Sequence, residues 1–291
     1  MVTQIVIHLL PHEMDWFEWQ SKQFKLGSYF INDDKVIIDV TLNLNLVDWN
    51  QSQLPKQFFI DKFNQVKTLW DWAEVQFTID EENKCLGCDD KRREAIRSTT
   101  ADNILYLDSD LIFRPELLSY MIEASKAVNH DYYIISPQTV RMWDNSWDII
   151  TNQNYLNTPA SMETYYANDP FKIVTESVND ISLFPISQFK FGGGWFNLLS
   201  TKLLKLTDIP DSFGPYGIDD LYVMWCCDLM KRKGYSVQQY VLKNAVVVEN
   251  FKYRWNPYKT YLHLIDKQAE FRTQAEENLN PELQKIGRAH V

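Results

Sequence analysis

Apolar and polar positions follow two different periods along the first half of the chain. Short apolar runs predict strands, and longer stretches with apolar positions every three or four residues predict amphipathic helices. In order they are strand Thr3–Leu10, helix Met14–Lys25, strand Lys35–Leu44, helix Pro55–Trp72, strand Val75–Thr78, helix Asp90–Thr99, strand Asn103–Leu107, helix Pro115–Ala127 and strand Tyr132–Ser136. Such alternation predicts an α/β fold with a mostly parallel central sheet.

The pattern changes in the second half. Polar and aromatic residues run from Gln138 to Pro185 without a period, which is typical of a long functional loop or a partly disordered segment. Regular structure is then predicted as strand Ser187–Phe191, helices Thr201–Leu206 and Ile218–Lys233, strand Ala245–Glu249 and helix Tyr258–Asn278. Because no internal repeat or flexible linker divides the chain, we expect a single α/β/α domain over residues 1–285. Residues 286–291 match a translated sequencing adapter, and we expect them not to be biological.

Composition excludes some classes of function. The chain has 291 residues, 45% of them hydrophobic, which is enough for a substantial core. Its 39 acidic and 29 basic residues give a net charge of -10, which argues against broad nucleic-acid binding. The sequence has no basic and apolar leader, and no apolar run approaches the roughly 18 residues of a transmembrane helix. We therefore expect a cytoplasmic protein without a transmembrane segment.

The strongest chemical signal is a pair of acids directly after an apolar strand. Asp108 and Asp110 follow the strand Asn103–Leu107, and ligands of open α/β sheets bind beyond the carboxyl ends of the strands. Two carboxylates can hold Mn²⁺ or Mg²⁺, which prefer oxygen ligands and often share them with substrate phosphates. Taken alone, an Asp-x-Asp sequence is also common in ordinary turns.

Two further groups of residues suggest ligand contacts. Arg93 and Arg97 share one face of the helix before the acids, and Arg93 is our candidate for a phosphate or ribose contact, although a solvated helix face is the alternative. A glycine triplet that includes Gly193 and Gly194 would let a ligand approach the backbone, and Trp195 could stack on a sugar or a base. The same glycines could instead mark a turn, with Trp195 in the core.

A second acid pair opens the helix predicted over Ile218–Lys233. A carboxylate at a helix start can cap free N–H groups, so one of Asp219 and Asp220 could be only a cap. The other could face the cleft as a general base that deprotonates a hydroxyl. The residue types do not decide between the two.

Taken together and in order, these motifs resemble the GT-A superfamily of nucleotide-sugar-dependent glycosyltransferases, in particular its family 2-like members. The resemblance covers most of residues 3–250: the first strand, the basic helix, the segment Ala101–Asp110, the Gly-Gly-Gly-Trp turn and the segment Tyr216–Asp220. It implies a GT-A-like (Rossmann-like) domain in which Asp110 is the direct metal ligand and Asp108 lies nearer the ribose. It also implies that Asp219 or Asp220 is the acceptor-side base.

The sequence departs from the family pattern at several positions. The family more often has Glu-Asp where this chain has Asp219 and Asp220. Glu249 stands where many relatives have a metal-binding His, so it is a candidate third ligand, and Asp39 is a candidate for the acid that recognises the base.

The resemblance implies a metal-dependent glycosyltransferase of the hexosyl or N-acetylhexosaminyl class. We expect a UDP-sugar donor, a saccharide or glycolipid acceptor, inversion at the anomeric carbon and a role in polysaccharide biosynthesis. One alternative is a phosphohydrolase of the haloacid-dehalogenase type, which also uses Asp-x-Asp after a strand, but usually near the N-terminus. The other is a carbohydrate-binding protein that kept the fold without the reaction.

Overall fold

The computed structural model describes residues 1–44, 54–140, 174, 181–187, 189, 196–249 and 260–289, with side chains described for all of these except 139–140, 249, 260–268 and 286–289. The strands are β1 Val2–Leu9, β2 Lys35–Asn43, β3 Glu74–Asp80, β4 Asn103–Leu107, β5 Leu111–Ile112, β6 Tyr132–Val140, β7 Ser182–Ile186, β8 Phe196–Ser200 and β9 Val237–Glu249. The helices are α1 Met14–Gly27, α2 Lys56–Lys67, α3 Cys88–Ser98, α4 Leu117–Ala127, α5 Thr201–Thr207, α6 Asp219–Arg232 and α7 Thr260–Ala289.

The nine strands form one sheet in the order β3-β2-β1-β4-β8-β6-β9-β5, with β7 also paired to β9. Strands β1, β2, β3 and β4 pair in parallel, and β8 lies antiparallel between β4 and β6. Strand β9 is parallel to β6 but antiparallel to β5 and β7. Six of the nine strands therefore run in the same direction, which confirms the predicted mostly parallel sheet.

Helices cover both faces of this sheet. Side chains of a strand alternate between the two faces, so in β4 Leu105 and Leu107 join one apolar cluster, whereas Ile104 and Tyr106 join the other. The first cluster contains apolar residues of α1, α2 and α4. The second contains those of α3, α5, α6 and α7. The predicted α/β/α arrangement is thus confirmed for the described residues.

Parts of the second half differ from the sequence prediction. Strand β8 was not predicted, and all of β7 except its last residue lies inside the stretch to which no period was assigned. Strand β9 begins at Val237 instead of Ala245, because its first residues include Gln238 and Gln239, which hide the apolar alternation. The strand predicted at Ser187–Phe191 lies largely outside the described residues.

None of the helices in the described part of the chain combines the length and the apolar character needed to cross a lipid bilayer.

The last helix continues through Pro281 and ends at Ala289, beyond its predicted end at Asn278. The division into a domain of residues 1–285 and an artefactual tail stays a prediction.

Candidate active site

The acids at 108 and 110 lie at the carboxyl edge of the sheet, as predicted. All five residues of β4 are buried, whereas Asp108 and Asp110 directly after it are partly exposed and flank the buried Ser109. We call Asp108–Asp110 the acid turn. The chain leaves the turn through β5, whose Leu111 pairs with Glu249 of β9. The backbone of Glu249 therefore runs beside the acid turn, while its side chain lies outside the described residues.

A single arginine connects the acid turn to the second acid pair. Arg92 of α3 is 5% exposed, and its guanidinium donates to Asp219 Oδ2 at 2.9 Å and to Asp108 Oδ1 at 3.2 Å. The guanidinium carbon also lies 4.6 Å from the centre of the Tyr106 ring. Burial alone would lower the pKa of Arg92, but the charges around it, with Asp219 first, outweigh burial and raise that pKa well above its ordinary value. The guanidinium therefore stays charged between the two acids.

The two members of the second acid pair differ in their surroundings. Asp219 is 3% exposed and bound to Arg92, whereas Asp220 is partly exposed. Asp220 Oδ1 accepts the backbone N–H of Leu221 at 2.7 Å, within the first turn of α6. Partial burial and the neighbouring charge of Asp219 raise the pKa of Asp220 well above its usual range. The raised pKa and the partial exposure of Asp220 suit a proton acceptor, while Asp219 is the partner of Arg92.

A third acid, which the sequence did not single out, lies behind this pair. Asp89 in the first turn of α3 is fully buried, and its Oδ2 has no hydrogen-bond partner among the described residues. Burial, and after it the charge of Asp219, raises the pKa of Asp89 well above the ordinary value. Arg92 is the nearby cation that opposes this shift. Burial therefore favours the neutral form of the Asp89 carboxyl group, while Arg92 and a hydrogen bond from the Cys88 thiol to Oδ1 at 3.4 Å favour the charged form.

The loop that leads to the acid pair is packed against two helices. A Cβ on Gly87, just before α3, would clash with the carbonyl oxygen of Pro215, and a Cβ on Gly217 would lie 2.5 Å from the Cβ of Ala275 in α7. From the same helix, Asn278 donates to the carbonyl oxygen of Ser212 at 3.2 Å. These close approaches require glycine and fix where α6 and its acids begin.

Arg93, the predicted phosphate contact, is hydrogen-bonded to the loop before α6 and to its own helix. Its guanidinium donates to the carbonyl oxygens of Ile209 at 2.9 Å, Pro210 at 3.0 Å and Gly214 at 2.9 Å, and also to Asp90 at 2.9 Å. These bonds use its donors to hold the loop before α6. It is the preceding residue, Arg92, that reaches the acids, and no local sequence signal separates it from Arg93, because each stands three residues before a buried apolar residue of α3.

Asp39, the candidate for the acid that recognises the base, is part of a buried polar network. It lies within β2, which continues to Asn43, and so not at the carboxyl edge of the sheet. It is 6% exposed, its carboxylate pairs with the ammonium of Lys91 at 2.6 Å, and it accepts from Gln4 at 3.0 Å. This buried network joins β1, β2 and α3, and it occupies the carboxyl group that we predicted to recognise a base.

The predicted contacts of Gly193, Gly194 and Trp195 lie outside the described residues.

A residue that sequence reasoning missed is Glu13, which follows β1. Removal from water, and then the neighbouring Asp110 and Asp108, raises the pKa of Glu13 to about 8, although hydrogen bonds from Ser109 and Leu10 oppose the shift. No simple sequence signal marks this acid, because its partners come from the acid turn.

The chemistry of the acid turn fits a divalent cation. Two carboxylates at a partly exposed sheet edge are hard oxygen ligands of the kind that Mg²⁺ and Mn²⁺ take together with substrate phosphates. Within the described side chains, no group of three or more His, Cys, Asp or Glu residues is arranged to hold a metal. The remaining ligands would therefore come from a substrate or from residues outside that set, such as Glu249.

Solved structures share this fold. The chain is similar to glucosyl-3-phosphoglycerate synthase from Mycobacterium tuberculosis in complex with phosphoglyceric acid, with a TM-score of 0.50, 14% identity, and 98% of this chain and 80% of that chain covered. The same synthase in complex with Mn²⁺, UDP and glucosyl-3-phosphoglycerate gives a TM-score of 0.49 at 13% identity, with the same two coverages of 98% and 80%. No family model and no curated protein matches the sequence. The similarity to the first of these structures confirms the predicted GT-A-like fold.

Proposed function

We propose that the protein is a metal-dependent glycosyltransferase that moves a sugar from a nucleotide-diphosphate sugar to a hydroxyl of a saccharide, a glycolipid or a similar acceptor. The observation that carries this proposal is the link between Asp108 and Asp219 through Arg92. It brings the acid turn and the second acid pair into one site, as metal-assisted transfer to a hydroxyl requires. The fold supports the same class, since it is that of a glucosyl-3-phosphoglycerate synthase.

In this proposal the acid turn binds the nucleotide-sugar donor through the cation. Asp108 and Asp110 would hold Mn²⁺ or Mg²⁺ together with the donor diphosphate, with Glu249 as a further candidate ligand. The cation, when bound, neutralises the charge that develops on the departing diphosphate. A UDP-sugar is the proposed donor, and a hexosyl or N-acetylhexosaminyl group the proposed sugar.

In the same proposal, the second acid pair activates the hydroxyl of the acceptor. Asp220 takes the proton of the attacking hydroxyl, because its pKa is raised and it is more exposed than Asp219. Asp219 holds Arg92, and Arg92 in turn fixes the distance between the acid turn and the base. Direct attack from the side opposite the diphosphate would invert the anomeric carbon. A cytoplasmic role in polysaccharide biosynthesis is part of the same proposal.

A donor panel tests the proposal. Thermal unfolding would be followed with a series of nucleotide sugars, each with and without Mn²⁺, and the donor that raises the Tm in a metal-dependent manner would then be assayed for release of the nucleoside diphosphate. We expect a donor-specific rise and slow donor hydrolysis. Release of phosphate from a simple aryl phosphate would instead favour the haloacid-dehalogenase alternative. Donor or saccharide binding without any turnover would favour the non-catalytic one.

A further inference from the structure

The backbone on both sides of the acid turn is bound by one side chain of α1. Gln20 is fully buried, and its side-chain amide nitrogen donates to the carbonyl oxygen of Asp108 at 3.0 Å and to that of Leu111 at 3.2 Å. Because both partners are acceptors, the end of the amide that faces the turn is its NH₂ group, and both of its hydrogens are used. Gln20 therefore connects the first residue of the turn to the residue that follows its last.

A second donor of the same helix binds the backbone where the chain leaves the turn. The indole N–H of Trp16, one helical turn before Gln20, also donates to the Leu111 carbonyl oxygen, at 3.2 Å. The ring of Trp16 is itself stacked on that of Trp19, with the two ring centres 4.9 Å apart. The three hydrogen bonds from α1 thus hold the backbone of the turn, and none of them uses the carboxylates that would bind a cation.

The amide group of Gln20 is satisfied only at its nitrogen. Its Oε1 is buried and has no hydrogen-bond partner among the described residues. A buried acceptor without a partner costs free energy, which offsets part of what the two hydrogen bonds contribute to the stability of the fold. A role in the geometry of the turn accounts for an amide at this position. Without its donors, the peptide between Asp108 and Ser109 is free to rotate, and that rotation alters the dihedral angles that set the two carboxylates relative to each other.

We propose that Gln20 is a positioning residue for the metal site, which holds the backbone of the acid turn so that Asp108 and Asp110 bind one cation together. This inference rests on the proposed function, because it concerns the metal site of the proposed transferase. Gln20 acts through the backbone and touches neither the cation nor the reacting atoms. Residues that orient metal ligands in this way typically change metal affinity by about 10- to 100-fold when they are removed.

The test measures Mn²⁺ binding to the whole chain without any substrate, by the loss of the free-ion signal in electron paramagnetic resonance. Gln20→Met keeps the length of the side chain and removes both of its donors. Trp16→Phe removes the third donor but keeps an aromatic ring against Trp19. Asp110→Asn is the reference for a lost ligand.

Ser21 provides a matched control on the same helix. It is also fully buried, but its hydroxyl accepts the indole N–H of Trp70 at 3.1 Å, so its contact is with the segment that follows α2. Ser21→Ala therefore removes a buried hydrogen bond of α1 that does not involve the acid turn. Thermal unfolding of each variant reports how much stability is lost.

We expect Q20M to bind Mn²⁺ about tenfold more weakly than wild type. W16F should lose less affinity, because Gln20 still holds both carbonyl groups. S21A should lower the Tm and leave the Mn²⁺ affinity at the wild-type level. An affinity that falls with the Tm in all three variants, S21A included, would show a general loosening of the fold and would overturn the positioning role. If Q20M does not fold, W16F decides instead, because its affinity must then fall while that of S21A does not.

The outcomes separate this inference from the proposed function. Binding that is lost in D110N but unchanged in folded Q20M overturns the role of Gln20 and leaves the metal site standing. Binding that is unchanged in D110N, or absent from the wild-type protein, overturns the proposed metal site and the role of Gln20 with it.

Discussion

Asp108 and Asp219 accept hydrogen bonds from the two terminal nitrogens of one guanidinium group, that of Arg92. One acid follows a strand in the middle of the sheet and the other opens a helix far along the chain. An arginine suits this position because its planar fork can bind two carboxylates at once, which the ammonium of a lysine cannot do with the same geometry. The two hydrogen bonds of Arg92, which we call the bridge, therefore hold the two acids in one site, and replacing Arg92 would separate them.

Replacing Arg92 should destabilise the fold as well as the site. Arg92→Met leaves the nearly fully buried Asp219 without its cation, and removing one partner of a buried pair typically costs about 3–5 kcal/mol. Arg92→Lys should recover part of that loss. Urea unfolding at neutral pH measures both. The control is Arg97→Lys, because Arg97 pairs with Asp208 and Asp211 at the surface, where such pairs contribute about 1 kcal/mol or less. Equal effects at the two positions would contradict the bridge.

Asp110→Asn should abolish metal-dependent turnover while the protein stays folded. The substitution keeps the size of the side chain but removes a charge from a partly exposed position, so its Tm should stay close to wild type. Activity with Mn²⁺ and thermal unfolding are compared with those of Asp228→Asn, which alters an exposed acid paired with Arg232 on α6. A fully active D110N protein would refute the assigned metal site.

The sequence predicted the positions of the acids better than their partners. Strand β4 was predicted with its observed bounds, and the acid pair does open a helix, because both signals are local in the sequence. The sequence did not show that Arg92, and not Arg93, reaches the acids, since successive residues of a helix point about 100° apart and only packing fixes the rotation. Strand β8 was missed because an antiparallel strand inserted between β4 and β6 is defined by its neighbours, which no local period reveals.

Gly217 should tolerate no larger residue while Ala275 faces it. Because an added Cβ would lie 2.5 Å from the Cβ of Ala275, Gly217→Ala should lower the free energy of unfolding by about 1–3 kcal/mol. Ala275→Gly removes the opposing methyl group at a helix cost of about 1 kcal/mol. The double variant should therefore be about as stable as A275G alone. Additive losses in urea unfolding would show that the two positions do not meet.

Asp89→Asn should make stability less sensitive to pH. The pKa of Asp89 is raised in the folded protein, so its contribution is most favourable below the unfolded pKa of about 3.9 and is lost as the pH rises toward the folded value. The asparagine cannot ionise, so the variant should gain stability relative to wild type by up to about 1.4 kcal/mol per pH unit within that window. Urea unfolding between pH 5 and 8 measures the gain, with D228N as the exposed control. A constant difference across this range would show that Asp89 is ionised in the folded protein.

Asp219 and Asp220 should fail in different ways when each is replaced by asparagine. D220N removes the proposed base, so turnover should fall by about 10²- to 10⁴-fold while the Tm and the metal-dependent binding of the donor are kept. D219N removes a partner of the buried Arg92, so it should lower the Tm as well as the activity.

The dependence of activity on pH separates the roles of the two acids further. A base must be ionised to accept a proton, and the pKa of Asp220 is raised, so wild-type activity should climb with pH well above the usual range of a carboxyl group. The residual activity of D220N should lose that rise, whereas that of D219N should keep a rise that moves to lower pH, because the charge of Asp219 is one of the causes that raise the pKa of Asp220. A D220N protein with a wild-type rate and profile would transfer the role of base away from this residue.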